Sequence, residues 1–345
     1  MQTIKAKTFL QSACAILVAL TCASTVAQPN PYQAIYHWGT LPGDRPMGIV
    51  TGVHPDPDGE HLWIVERCGA NQCAGSDLDP IHKLDMEGNT VASIGSGLFA
   101  WPHGFDIDAE GNLWVTEGAP DGDARGRPGM ERGMGHQVIK LDQDGNVLMR
   151  LGEAGVPGDD AVHFNGPAAV LAAPNGEVWI ADGHRGGNNR IMKFSADGEF
   201  ILQLGGGVDS ISRESARFND PHDLKMDSQG RLFVADRGNN RIQIFDQQGE
   251  LLDIWTQFGR PSGLWIDDND VLYAADGMSG EQWNRGWERG IRIGDAHTGY
   301  VTEFIPDYEI QNGSGIEFLA ADSDGNIYAG QVGRQRFEKY VRVRP

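Results

Sequence analysis

A short apolar strand behind a glycine turn, written six times, constrains this chain more than any other feature. "DPDGEHLWIVE", "DAEGNLWVTE", "APNGEVWIAD", "DSQGRLFVAD", "DDNDVLYAAD" and "DSDGNIYAGQ" recur with turns near Gly59, Gly111, Gly176, Gly230, Asn269 and Gly325. Asp-Gly and Asn-Gly supply the positive φ that a tight hairpin needs. A second hairpin follows most copies, as in "IHKLDMEGNTVASIG", "VIKLDQDGNVLMRLG", "IMKFSADGEFILQLG" and "IQIFDQQGELLDIW". Each unit is therefore four short antiparallel strands, repeated every 40–60 residues or so.

Four-stranded sheets repeated about an axis form a β-propeller, which leaves only short, protected edges. The predicted fold is all-β: one six-bladed propeller over residues 28–345. The last unit brings only three strands, "GIEFLAAD", "NIYAGQV" and "RFEKYVRV". The early segment "YQAIYHWG" ends as the fourth strands of other units do, so an N-terminal strand is expected to complete the last blade and close the ring. Trp63, Trp114, Trp179, Phe233 and Tyr273 hold matching places in their hairpins and are expected to pack between blades.

Residues 1–27 read as a signal peptide: Lys5 and Lys7, the apolar core "ACAILVAL", then the small-residue stretch "ASTVA". The apolar run is too short to span a bilayer, so the expectation is a secreted or periplasmic protein without a membrane span. Removing those two lysines takes the formal charge from −20 to about −22, which argues against nucleic acid or an anionic membrane as partner. Cys68 and Cys73, in "RCGANQC", then remain, and an oxidising compartment makes a small-loop disulfide the expectation. The acidic composition favours a monomer.

In a propeller the first strand of each blade lines the central channel. Aligned by distance before the turn, these strands begin with His103 in blade 2, Ala168 in blade 3, His222 in blade 4, Ser262 in blade 5 and Glu317 in blade 6. Blade 1 offers no ligand near Gly48. Alternate blades lie about 120° apart, so His103, His222 and Glu317 would converge on the axis. Two imidazoles, a carboxylate and an open position describe a catalytic zinc site. The competing reading is that each histidine only hydrogen-bonds a neighbouring loop.

The segments "PHGFDIDAEGNLWVTEG", "HQVIKLD", "ADGHRGGNNRIMKF" and "PHDLKMDSQGRLFVADRGNNRIQIF" resemble NHL repeats, and the pattern over residues 45–345 resembles the propeller of the peptidyl-α-hydroxyglycine α-amidating lyases (peptidylamidoglycolate lyases). The resemblance implies a zinc-dependent carbon–nitrogen lyase that cleaves a carbinolamide into a peptide amide and glyoxylate. His103 and His222 match two of the family's three histidine ligands, and Glu317 stands where the third belongs. Arg67 and Arg237 match arginines that hold the substrate carboxylate. His184 stands where the family has a tyrosine base. Phe318 replaces the acid implicated in a structural calcium, so calcium is not carried over. The implied partner is a small molecule or peptide ending in a carboxylate, made by a separate monooxygenase.

Two insertions stand out. Residues 118–136 form a glycine-rich stretch that reads either as a lid or as a surface loop. Residues 276–290 carry Trp283 and Trp287, candidate substrate contacts. Two other functions fit the same sequence: a metal-dependent lactonase or hydrolase, and a non-catalytic propeller that binds peptide, glycan or protein. Metal content separates the scaffold from the enzymes, and glyoxylate release separates the lyase from the hydrolase.

Overall fold

Glycine turns and short apolar strands close into a ring. The computed structural model describes residues 30–118, 133–206, 217–307 and 315–343. The expected signal segment and most of the 118–136 insertion lie outside the described residues. The described residues form six four-stranded antiparallel sheets, five of them with their strands in sequence order from the inside out. Blade 1 runs Val50–Pro55, His61–Glu66, Ile81–Asp85 and Thr90–Ile94. The inner strands of blades 2 to 6 are Pro102–Ile107, Pro167–Ala172, Pro221–Met226, Gly263–Ile266 and Ile316–Ala321.

Closure is as the strand count implied. Tyr32–Tyr36 pairs antiparallel with Arg336–Arg342 and becomes the outer strand of blade 6. The inner strands touch in cyclic order, with Val50–Pro55 packed against both Pro102–Ile107 and Ile316–Ala321. The inner hairpins turn on Gly59, Gly111, Gly176, Gly230 and Gly325, all at positive φ. In blade 5 the left-handed residue is Asp270 (φ 56°) and not its neighbour Asn269; aspartate tolerates this region better than most side chains.

The core lies between blades. Trp63 packs with Phe105 and Ile107 of the next blade, Trp114 with Val170 and Val178, and Trp179 with Leu224 and Leu232. Phe233 packs with Leu264 and Leu272, and Tyr273 with Leu319 and Ile327. Tyr328 completes the circle against Val53 and Leu62. Each such ring removed from water contributes about 1.5–3 kcal/mol. The ring is held shut by the same contact that joins every other pair of blades.

A second periodic element is polar. The second strand of blades 1 to 5 ends in a buried acid: Glu66, Glu117, Asp182, Asp236 and Asp276. Each accepts main-chain N–H groups from the loop that enters its own blade, Gly48 for Glu66, Trp101 for Glu117, Asn165 for Asp182, Asn219 for Asp236 and Arg260 for Asp276. In blades 3, 4 and 5 it also pairs with an arginine of the third strand, Arg190, Arg241 or Arg292. These acids fix the loops on one face of the ring, the face that carries the candidate site.

Candidate functional site

An irregularity in strand pairing aims the histidines. Register shifts interrupt the inner strands between Pro102 and Phe105, Pro167 and Ala169, Pro221 and Leu224, and Ile316 and Phe318. His103, Ala168, His222 and Glu317 all sit inside these interruptions. A residue inside a bulge is released from the ladder and can be re-aimed. Blades 2 and 4 place an imidazole there, and blade 6 a carboxylate.

The structure brings His103 and His222 together with His184, which follows the second strand of blade 3. Their ring centroids form a near-equilateral triangle, 4.5 Å from His103 to His184, 4.8 Å from His103 to His222 and 5.0 Å from His184 to His222. One nitrogen from each lies within 4.8 Å of the others, and all three residues are buried. Phe318 flanks the pair, 5.2 Å from His103 and stacked on His222 at 5.3 Å.

Hydrogen bonding fixes the tautomers. His103 Nδ1 lies 2.7 Å from the Ala168 carbonyl, and His222 Nδ1 lies 2.9 Å from the Ser262 carbonyl. A carbonyl only accepts, so each Nδ1 donates and each Nε2 is turned toward the cluster. His184 Nδ1 faces the Asp220 carboxylate at 3.2 Å and the Arg237 Nη2 donor at 3.4 Å, which together orient its ring. The Nε2 atoms of His103 and His222 are buried and have no hydrogen-bond partner. Orienting one imidazole nitrogen through carbonyls or a carboxylate, with the other left bare, is how metal-binding histidines are held.

Electrostatics disfavour charge on His103 and His184. Burial, then the neighbouring His184 and His222, hold His103 well below the usual histidine range. Burial pushes His184 down to about 3 despite its contact with Asp220. Glu317 stays ionised: burial pushes its carboxyl up, but His222 and Arg237 outweigh that and hold it well below the ordinary value. Its Oε1 faces His222 Nε2 at 3.3 Å. Two acceptors at that distance repel unless a proton or a cation lies between them. The residues present therefore fit a divalent metal of zinc type, held by the three imidazoles beside an anionic Glu317.

The remaining expected residues divide. Arg67 lies on the same face, its Cζ 3.7 Å over the Trp101 ring and its Nε bonded to the Pro102 carbonyl. The loop behind it is tied by the Cys68–Cys73 disulfide. Arg237 is committed to acids, with Nη2 2.7 Å from Asp220 and Nη1 3.0 Å from Glu317. Trp283 and Trp287 lie farther out, 48% and 37% exposed. Trp283 lies 5.1 Å from the guanidinium carbon of Arg260, and Trp287 lies 4.9 Å from that of Arg292.

Three neighbours of the site went unread in the sequence. Trp101 stacks on His184 at 5.3 Å and lies 5.0 Å from His103. Asp220 orients His184, and Arg260 bonds to the main-chain oxygen of Arg237 at 3.0 Å. Each stands two residues before the first-strand position that aligns across blades: Trp101 before His103, Asp220 before His222, Arg260 before Ser262. Extending the repeat alignment two residues upstream exposes all three.

Comparison with known proteins adds family context. The NHL repeat family model matches residues 218–245, the core of blade 4. The human NHL repeat-containing protein 3 is 32% identical over 300 residues, 79% of this chain and 80% of that protein. A Caenorhabditis elegans protein named probable peptidyl-alpha-hydroxyglycine alpha-amidating lyase is 30% identical over 222 residues, 60% of this chain and 58% of that one. The Xenopus laevis peptidyl-glycine alpha-amidating monooxygenase B is 33% identical over 315 residues, 83% of this chain but 33% of its own length. The chain thus spans about a third of the two Xenopus laevis amidating monooxygenases it matches.

Proposed function

Since the chain belongs to the family of NHL-repeat β-propellers that includes NHL repeat-containing protein 3, and resembles amidating lyases, we propose that it is an exported, metal-dependent lyase-like enzyme. Its reaction is the cleavage of a peptidyl-α-hydroxyglycine to a peptide amide and glyoxylate. The observation that carries this reading is the buried triangle of His103, His184 and His222, with the unpartnered Nε2 of His103 and the Glu317 carboxylate beside His222.

In this reading His103, His184 and His222 hold zinc. Zinc held there would supply Lewis-acid polarisation of the substrate's oxygens. The ligand set departs from the sequence expectation, which had Glu317 as third ligand and His184 as base. Here the two exchange roles. Glu317 is an anion beside the imidazoles and accepts the proton of the carbinol hydroxyl. The hydroxyl oxygen then forms the carbonyl of glyoxylate, and the carbon–nitrogen bond breaks with its electron pair on nitrogen. That nitrogen takes up the proton and leaves as the amide. Arg237 keeps Glu317 ionised and placed. Trp101 fixes Arg67 and His184 side by side, so a substrate meets a rigid wall and not mobile groups.

A second reading has one observation in its favour. A relative matched over about four-fifths of both chains is named for its repeats alone, and in this reading the site binds ligand without turning it over. Metal analysis of the mature chain, followed by a glyoxylate-release assay on a peptidyl-α-hydroxyglycine, decides between them. About one zinc per chain together with glyoxylate release supports the lyase. Zinc without glyoxylate favours the binding propeller, and absence of zinc after supplementation removes the metal reading.

A further inference from the structure

Arg260 is 6% exposed. Its Nη1 bonds to two neutral acceptors, the Arg237 carbonyl at 3.0 Å and Asn240 Oδ1 at 3.0 Å. Its Nε is buried and has no hydrogen-bond partner. Among the described residues no carboxylate forms an ion pair with it, whereas Arg45, Arg190, Arg237, Arg241, Arg292 and Arg334 each have one. The nearby acids are committed elsewhere. Asp220 serves Arg237 and His184. Asp276 takes Arg292 and the main-chain N–H of Arg260, not its guanidinium.

A buried guanidinium without a counter-charge is costly to keep, and burial together with the neighbouring Arg237 makes its charged form harder to hold. Such a group calls for an anion. Its position says where: Arg260 holds in blade 5 the place that Trp101 and Asp220 hold in blades 2 and 4, and both of those touch the histidine cluster. Above it lies Trp283, half exposed and 5.1 Å from the guanidinium carbon.

We propose that Arg260 is the carboxylate-binding residue of this site, with Trp283 as the movable cover over the bound group. The ligand class is a small α-oxygenated carboxylate, which on the lyase reading is the hydroxyglycine end of the substrate and the glyoxylate product. The assignment of that carboxylate rests on the lyase reading; the anion site itself does not. It also resolves a conflict, because the Arg237 fork that the sequence offered for this task is already taken by Asp220 and Glu317.

The test is titration of the mature chain with sodium glyoxylate at constant ionic strength, followed by thermal shift and tryptophan emission. Methyl glyoxylate, which lacks the charge, is the control. Wild type, R260M, R260K and W283F are compared, each with zinc supplied and after chelation. The expected result is stabilisation of wild type by glyoxylate and not by the ester, an affinity at least tenfold weaker in R260M, and an intermediate value in R260K. The emission change should be absent in W283F. Equal glyoxylate affinity in wild type, R260K and R260M overturns the proposal, even if glyoxylate release is intact. An Arg260-dependent shift that persists without zinc and without turnover upholds the anion site while the lyase reading falls.

Discussion

Arg237 grips a single oxygen of Asp220, Oδ2, with both Nε and Nη2 at 3.0 and 2.7 Å, leaving Oδ1 for His184 Nδ1 and the main-chain N–H of Arg185. One partly buried carboxylate thus orients an arginine and a histidine at once. Breaking such a pair on one side leaves an uncompensated charge and costs about 3–5 kcal/mol. D220N should lower the urea midpoint accordingly, and D220N/R237M should lose less than the two single substitutions summed. Additive losses in the double mutant would show that the two side chains are not coupled.

Zinc content distinguishes the two candidate ligand sets. H103A, H184A and H222A should each reduce bound zinc from about one per chain to near zero. E317Q, which keeps the shape of the side chain but loses the charge, should retain most of the metal and lose glyoxylate release by about 10²–10⁴-fold, the usual contribution of a general base. Inductively coupled plasma analysis of the four variants reads this directly. Zinc lost in E317Q but retained in H184A would restore the carboxylate as ligand.

Arg67 depends on a short covalent loop. Cys68 and Cys73 are five residues apart and joined, and Arg67 precedes the first of them. In the chain-entropy account a loop this small stabilises by roughly 2 kcal/mol. C68S/C73S should lower the melting temperature modestly. A looser Arg67 should raise KM for a peptidyl-α-hydroxyglycine more than it lowers kcat. Unchanged kinetics in a folded double mutant would detach Arg67 from substrate binding.

The turns make the fold sensitive to acid. Burial pushes the Asp108 carboxyl up, but Lys140 and the N–H donors of Asn112 and Trp114 outweigh it and hold it below the ordinary value. Side-chain and main-chain donors of Asn89 and Asn146 do the same for Asp85 and Asp142. A carboxyl that binds its proton more weakly in the folded than in the unfolded chain contributes stability above its unfolded value. That contribution fades as pH falls below about 4. Melting temperature should therefore drop steeply from pH 4.5 to 3, and D108N should flatten part of that slope.

Gly104 follows His103 and has no room for a side chain. A Cβ there would meet the Ala168 oxygen and the Ala169 Cα of blade 3, both at 2.5 Å. G104A should cost about 1–3 kcal/mol through overpacking. Because the Ala168 carbonyl also receives His103 Nδ1, zinc affinity should fall with it. A G104A protein with wild-type stability and zinc affinity would mean the two inner strands can separate freely.

What the sequence made legible follows from what repeats. Glycine turns and matching aromatics recur in each unit, so the blades, the inter-blade packing of Trp63 to Tyr273 and the closing strand could all be read by alignment. His103 and His222 could be found because they fall at one position of that alignment. His184 escaped as a member of the imidazole triangle because it belongs to a loop after a second strand, and its approach to the axis depends on how far that loop reaches inward. Arg237 and Glu317 were visible singly, but their mutual contact crosses from blade 4 to blade 6, a distance in space that no local spacing encodes. Asp220 and Arg260 lay two residues upstream of where the alignment began.

The strand pairing that completes blade 6 also sets a clock. Tyr32–Tyr36 leaves the ribosome first, and its partner Arg336–Arg342 leaves some three hundred residues later. At roughly 5–20 residues per second, synthesis of the intervening chain takes from about 15 s to a minute. Blades 1 to 5 can assemble during that wait, but the first strand has no sheet to join. The histidine triangle draws on blades 2, 3 and 4, so its ligands can meet while the circle is still open. Assembly of the imidazole triangle and sealing of the ring are then separable events in the life of each molecule, so the site can form before the protein is whole.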